Sequence, residues 1–341
     1  MTRKQRQKQE KRRKQRVFFS VLMILFTGII LTASTYAWFT SNRNVAVQGI
    51  DVNVTASTGF QISADADNWK SIVTADDLKA ITYTTGKNQF PTEIAPVSTI
   101  GDVADTGLMT MFLGTVTDEN GSSYLKSEAI TETYTTPVTS GGNFIAFDLY
   151  FRSGSAATVY LSKASTVTAR GSDSGIKYAS RIGFIVEGNA AYEAQPTEAQ
   201  SLVCAAGTDY ECVTARIWEP NANGHTANGV RHAVEVYGMN EGDVTSSVVA
   251  YKGVKTTFDN EPVASTDANK FGTPANLTTT NTNYASATTN NIAAFNIGSG
   301  ITKVRIYMWV EGQDVDCEDN AASTATVSKG LAYNLAFTLD E

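Results

Sequence analysis

The chain has 341 residues, with 27 Lys/Arg against 34 Asp/Glu, two histidines and three cysteines. Its net charge of −7 conceals a division: residues 1–16 hold nine of the basic side chains and one acid, so the body beyond Ala37 carries 18 basic and 33 acidic residues. An acidic body with no basic patch argues against a nucleic-acid partner, because phosphates need Lys and Arg to neutralise them, and 42% hydrophobic residues are too many for a disordered chain.

The basic residues 1–16 run directly into residues 17–39, which contain no charge. A cationic head before an apolar stretch sets an orientation: the head stays in the cytoplasm and residues 40–341 follow the apolar segment outward. The apolar stretch is 17 residues long if it ends at Ala33 and 23 if it ends at Phe39. Those lengths straddle a secretory core of about 7–15 residues and a bilayer span of about 20. Two readings follow. Thr35-Tyr36-Ala37 presents small residues for a signal peptidase, placing the cut at the Ala37–Trp38 bond, the preferred reading. Alternatively Trp38 and Phe39 form the outer aromatic belt of a retained single-pass anchor. Either way the expected location is extracellular or on the cell surface.

Beyond the leader, strand patterns dominate. Residues 45–54 alternate through Val45 and Val47, then Ile50, Val52 and Val54, with Gly49 at the change of phase, where a bulge fits. Residues 58–63 form a second strand, and Asp65 to Asn68 a turn before Trp69. Segments 108–116 and 123–125 flank Asn120-Gly121, a strong hairpin signal. Residues 143–151 put Ile145, Phe147, Leu149 and Phe151 on one face; 159–161, 181–186, 215–218 and 232–237 are further short strands. Residues 263–291, rich in Thr, Asn and Ala, read as a long surface loop. Then 303–310 set Val304, Ile306, Met308 and Val310 against Arg305, Tyr307 and Trp309, and 331–339 alternate from Leu331 to Leu339. Only 75–80 and 193–202 have helical potential. The expected fold class is mainly β, a jelly-roll or β-sandwich ectodomain preceded by one N-terminal hydrophobic helix.

Chemistry is sparse. Cys204 and Cys212 flank a short loop and form a disulfide candidate worth roughly 2–3 kcal/mol in an oxidising compartment. Cys317 is left over, free or paired with another chain. His225 and His232 sit in no metal-ligand spacing, and Gly171 to Gly175 carries Asp173 where a nucleophile elbow needs Ser. Two acidic groups, Asp65, Asp67, Asp76 and Asp77, and Glu311, Asp314, Asp316, Glu318 and Asp319, have the hard oxygens that Ca²⁺ prefers. They read first as solvated acidic turns. Tyr307 and Trp309 share a strand face, which suits either core packing or stacking on a sugar. No nucleophile–base pair emerges, so no enzyme, cofactor or metal is expected.

The run Thr35-Tyr36-Ala37-Trp38-Phe39-Thr40-Ser41, followed by Gly49-Ile50-Asp51-Val52-Asn53-Val54, resembles the exported TasA/camelysin biofilm-fibre family of Gram-positive bacteria. Weaker echoes are Gly59-Phe60-Gln61-Ile62-Ser63 with Trp69, Phe147-Asp148-Leu149-Tyr150, and Trp309-Val310-Glu311-Gly312. The resemblance covers about residues 17–65. It implies a jelly-roll domain, export through a dedicated signal peptidase, and self-association by donor-strand exchange, with Val45, Val47, Ile50, Val52 and Val54 as the donor strand. The expectation is a structural subunit of a surface fibre or biofilm matrix. The rival expectation is a membrane-anchored adhesin or glycan-binding module.

Overall fold

The computed structural model describes residues 45–55, 59–81, 88–104, 107–119, 122–130, 141–171, 175–204, 212, 215–221, 224–235, 237–245, 249–263, 267–274, 291–318 and 330–339. All of them belong to the unit Tyr36–Glu341. The leader, with the Ala37–Trp38 bond, lies outside the described residues, and no helix among the described residues is long and apolar enough to cross a membrane.

The protein is mainly β. In chain order the first half runs β1 (Val45–Thr55), β2 (Gln61–Ser63), β3 (Ile72–Thr74), α1 (Ala75–Lys79), β4 (Glu93–Ile94), β5 (Val97–Ser98), β6 (Met111–Glu119), β7 (Ser122–Ile130), β8 (Ile145–Ser153), β9 (Ala157–Ser162) and β10 (Thr166–Arg170). A 3₁₀ turn (Ile176–Tyr178) precedes β11 (Ser180–Ala190), α2 (Pro196–Gln200), β12 (Arg216–Trp218), α3 (Ala227–Glu235) and α4 (Glu241–Val244). The chain continues with β13 (Gly253–Val254), β14 (Phe258–Pro262), β15 (Phe271–Gly272), β16 (Asn291–Ile297), β17 (Gly300–Val310) and β18 (Gly330–Leu339).

A seven-stranded sheet orders β16-β9-β18-β1-β3, with β10 also on β18 and β4 on β1; a five-stranded sheet orders β12-β11-β17-β8-β2. The alternation of the long strands decides how these sheets are used. Val304, Ile306, Met308 and Val310 of β17 enter one core with Ile145, Phe147, Leu149 and Phe151 of β8, and with Leu331, Tyr333, Leu335 and Phe337 of β18. Both sheets therefore donate a face to the same interior. Its centre is aromatic: Phe151 meets Phe295 at 5.2 Å and Phe337 at 5.3 Å between ring centroids, both edge-on, as the ring quadrupoles prefer.

Gly49 does mark a break: the ladder of β1 with β18 shifts register between Val47 and Gly49. β6 and β7 pair antiparallel as far as Glu119 opposite Ser122, while residues 120 and 121 lie outside the described residues. Three expectations need correction. Residues 232–237 do not begin as a strand; His232 lies in α3, where Thr226 Oγ1 accepts the Gly229 N–H at 2.8 Å and Val230, Ala233 and Val234 pack with Val244 and Val315 at helical spacing. The six-residue window was too short to separate the two periods. Residues 263–291 are not all surface loop, since Val263 and Phe271 are buried in a small cluster with Phe112, Leu125 and Phe258. The third concerns the acidic group Glu311, Asp314, Asp316 and Glu318, which is buried rather than a solvated turn.

Candidate functional site

The first region of interest is the seat of β1. Val45, Ile50, Val52 and Val54 are buried in the main core and Val47 packs against it. β1 runs parallel to β18, with Val52 opposite Leu335 and Val54 opposite Phe337, and antiparallel to β3, with Val52 opposite Val73. At its start Val45 and Ala46 pair with β4. Between these two short partners a cleft of about 180 Å³ opens beside the bulge, lined by Val47, Gly49, Ile50, Phe90 and Ile145. The five candidate donor residues thus fill a slot in their own subunit. Side chains lock the parallel register: Asn53 Nδ2 donates to Asn334 Oδ1 at 3.0 Å.

The second region is the other face of the five-stranded sheet. Alternation predicts that Lys303, Arg305, Tyr307 and Trp309 point away from the aromatic core, and they do. That face is covered too. Val97, Met109, Met111 and Phe144 pack over Tyr307 and Trp309, both fully buried, so neither can stack on a sugar. The Met109 N–H donates to Tyr307 Oη at 3.2 Å and Trp309 Nε1 donates to Glu311 Oε2 at 3.2 Å.

Charges buried under this cover gather in two groups. In the first, Arg305 Nη1 donates to Asp148 Oδ1 at 2.9 Å, and Lys303 Nζ lies 3.3 Å from Asp148 Oδ2. Glu187, in the bulge of β11 next to Lys303, accepts the Cys204 N–H at 2.7 Å. Burial, reinforced by the charge of Asp148, pushes the Glu187 carboxyl up to about 7.

The second group centres on Arg181, which is 1% exposed. Its Nη2 forms an ion pair with Glu219 at 2.5 Å and donates to Asp314 Oδ2. Its Nη1 donates to the Tyr178 and Ser180 carbonyls at 3.0 Å each, and its guanidinium stacks 5.0 Å from the Tyr251 ring centroid. Burial opposes the charge of Arg181, but Glu219 and Asp314 outweigh it and raise its pKa. Glu311 is pushed up to about 7 by burial. Asp316 accepts from the Thr226 N–H at 2.7 Å and Thr226 Oγ1 at 3.0 Å, and pairs with His225 Nδ1 at 2.7 Å.

The acidic group Glu311, Asp314, Asp316 and Glu318 is therefore not a solvated turn: all four are buried, while Asp319 lies outside the described residues. Asp65, by contrast, is consumed by its own turn, accepting from Ser63 Oγ and from the Asp67 and Asn68 N–H groups. Asp77 caps α1 with Thr74 and pairs with Lys70. Among the described residues no cluster of His, Cys, Asp or Glu has the geometry to hold a metal ion. Cys204 and Cys212 are joined by a disulfide, with Cα atoms 5.4 Å apart, and Cys317 is buried outside it.

Sequence reasoning did not single out Arg181, Glu187, Lys303 or Arg305. The signal was present in β17, where both alternating sets consist of large side chains and neither is a solvent set of Ser or Thr. No family model, no curated protein and no solved structure matches the chain.

Proposed function

We propose that this chain is an exported, non-enzymatic structural subunit of a surface fibre or biofilm matrix, with a jelly-roll or β-sandwich ectodomain that assembles by exchange of β1. One observation carries the reading. β1 is the first strand among the described residues, stands between long β18 and two short partners, and continues into the rest of the domain from its C-terminal end. A strand so placed can leave its slot and enter the identical slot of a second copy, with the same backbone ladder and the same four buried side chains. The leader delivers the subunit outward, through signal peptidase or as a membrane-tethered form, and self-association follows there.

Asp51 and Asn334 provide the test. The double variant D51C/N334C places thiols on directly opposed positions of β1 and β18. Exchange gives disulfide-linked ladders on a non-reducing denaturing gel, and filaments by electron microscopy. Monomers closed only by an internal disulfide at high concentration would overturn the proposal.

A second reading, an adhesin or glycan-binding module, draws on a different surface. Arg152 is sandwiched between Trp69 at 4.3 Å and Tyr192 at 5.3 Å from the ring centroids, and Tyr192 is 39% exposed. Glycan-array binding by a monomer, abolished by Tyr192→Ala, would favour it over the fibre.

A further inference from the structure

Lys303 and Asp148 have been removed from water together. Their side chains are 5% and 0% exposed, and Nζ stands 3.3 Å from Oδ2. The contact lacks hydrogen-bond geometry: Oδ2 is buried without a hydrogen-bond partner. The N–H groups of Lys303 go elsewhere, to the carbonyls of Gln200 at 3.1 Å and Leu202 at 2.8 Å. Once the ammonium gives up one proton, its two remaining N–H bonds can stay on these carbonyls, and its lone pair is left for the carboxyl. The 3.3 Å separation is to Oδ2, one bond from Cγ, the carbon that an amide bond would join, so the amine and the carboxyl group are held side by side, the proximity that favours bond formation.

The neighbours suit a condensation. Arg305 Nη1 holds Asp148 Oδ1 at 2.9 Å, and Arg305 Nε is itself fixed by Tyr307 Oη at 3.1 Å. The Asp148 backbone N–H is tied to Asn88 Oδ1 at 2.9 Å. Glu187, buried beside Lys303 with its carboxyl pushed up to about 7, offers the ammonium no full second counter-charge at neutral pH. In a dry interior an ammonium–carboxylate pair loses its hydration, so transfer of one proton to give amine and acid lowers the desolvation cost.

We propose that Lys303 and Asp148 condense to an intramolecular amide, an isopeptide bond that ties β17 to β8. One proton passes from Nζ to Oδ2. The Nζ lone pair forms the bond to Cγ while the carbonyl π pair moves onto Oδ1, where Arg305 faces the new negative charge. A second proton leaves Nζ for Oδ2, the Cγ–Oδ2 bond breaks with its electrons on oxygen, and water departs as the pair on Oδ1 re-forms the carbonyl. Ammonium plus carboxylate become amide plus water, with no change of oxidation state. The bond goes beyond the fibre reading and does not depend on it.

Peptide mapping by mass spectrometry on the denatured, reduced full chain decides the matter. The peptides containing Asp148 and Lys303 are expected as one branched species, lighter than their sum by one water. Lys303→Arg keeps the charge beside Asp148 but supplies no amine, so its two peptides are expected as separate linear species. That variant should also run slower than the parent on a denaturing gel, because it lacks the covalent loop. Circular dichroism checks that the variant is folded; should it unfold, Asp148→Ala takes its place with the same expectation. Two linear peptides from the folded parent chain would overturn the proposal, as would the same loss of water in either variant.

Discussion

The two faces of β17 are both buried, yet they are built on opposite principles. Val304, Ile306, Met308 and Val310 enter an apolar interior where contacts are many and non-directional. Lys303, Arg305, Tyr307 and Trp309 enter a polar layer where each group depends on a named partner: Asp148, Tyr307 Oη, the Met109 N–H and Glu311. The first face tolerates any apolar side chain of suitable volume. The second tolerates almost nothing, because removing one partner strands a buried charge. Stability that rests on shape degrades gradually; stability that rests on pairing fails at single positions.

The largest effect should come from breaking a pair on the polar face. Arg181→Ala leaves Glu219 and Asp314 buried without their counter-charge, and about 3–5 kcal/mol of stability should be lost. Urea unfolding of the variant measures it. Arg181→Met combined with Glu219→Gln and Asp314→Asn should recover much of that loss, since no unpaired charge then remains. If the triple variant is as unstable as Arg181→Ala, packing rather than charge pairing governs this face.

Proton linkage separates the faces next. Glu187 and Glu311 are held near 7, from an ordinary 4.5, by burial first. An acid with a raised folded pKa binds a proton in the native state that the unfolded chain has already released. Stability should therefore be greatest below about pH 4.5 as far as these groups act, fall as pH rises, and reach its full loss above about pH 7. Each carboxyl contributes a slope of at most about 1.4 kcal/mol per pH unit in that window. Urea midpoints compared at both ends of the window for the parent chain and for Glu311→Gln measure it. The variant should show the shallower dependence; an equal slope would mean that Glu311 is ionised in the folded protein throughout.

The apolar face is what the sequence made legible. Period-two alternation placed Ile145 to Phe151, Val304 to Val310 and Leu331 to Leu339 on core strands, because burial on one face imposes that period. The bulge at Gly49 was readable for the same reason, as a slip in phase. The polar layer was not readable. Asp148 and Lys303 are far apart in sequence and meet through the pairing of β8 with β17, which no local pattern encodes. For Tyr307 and Trp309 the sequence allows both core packing and sugar stacking, because alternation tells which face a residue occupies, not whether that face is covered. The acidic run from Glu311 to Glu318 misled, since its burial depends on α3 and on Arg181, both remote in sequence. Of the candidate site residues, the β1 set could be placed from sequence, whereas the leader cut at Ala37 lies outside the described residues.

A conservative change on the apolar face should cost less than any of these. Met308→Leu keeps volume and chemistry among Ile182, Phe184 and Trp218 in the main core, and less than about 1.5 kcal/mol should be lost. Arg305→Met, three residues earlier on the same β17 but on its polar face, removes the donor to Asp148 and should cost about twice as much or more. Thermal unfolding of the two variants side by side tests the asymmetry, and equal losses would erase the distinction between the faces.

The smallest effect should come from a charge that is well paired but partly in water. Asp65 accepts from Ser63 Oγ at 2.8 Å, from the Asp67 and Asn68 N–H groups at 2.9 and 2.8 Å, and from Asn68 Nδ2 at 2.7 Å. Burial raises its pKa somewhat, but the bonds from Asn68, Asp67 and Ser63 outweigh this and hold the carboxyl at about 2. Here the sign is reversed: a depressed folded pKa gives stability present above about pH 4 and lost as pH falls toward about 2. Water screens much of the interaction, and Asp65→Ala should cost only about 1 kcal/mol at neutral pH. Urea unfolding at neutral pH and at about pH 3 tests both magnitude and sign. Asp65 makes more hydrogen bonds than Asp148 does with its side chain. A loss as large as that of Arg181→Ala would therefore mean that the count of bonds, rather than exclusion from water, sets the cost of breaking a charged site in this protein.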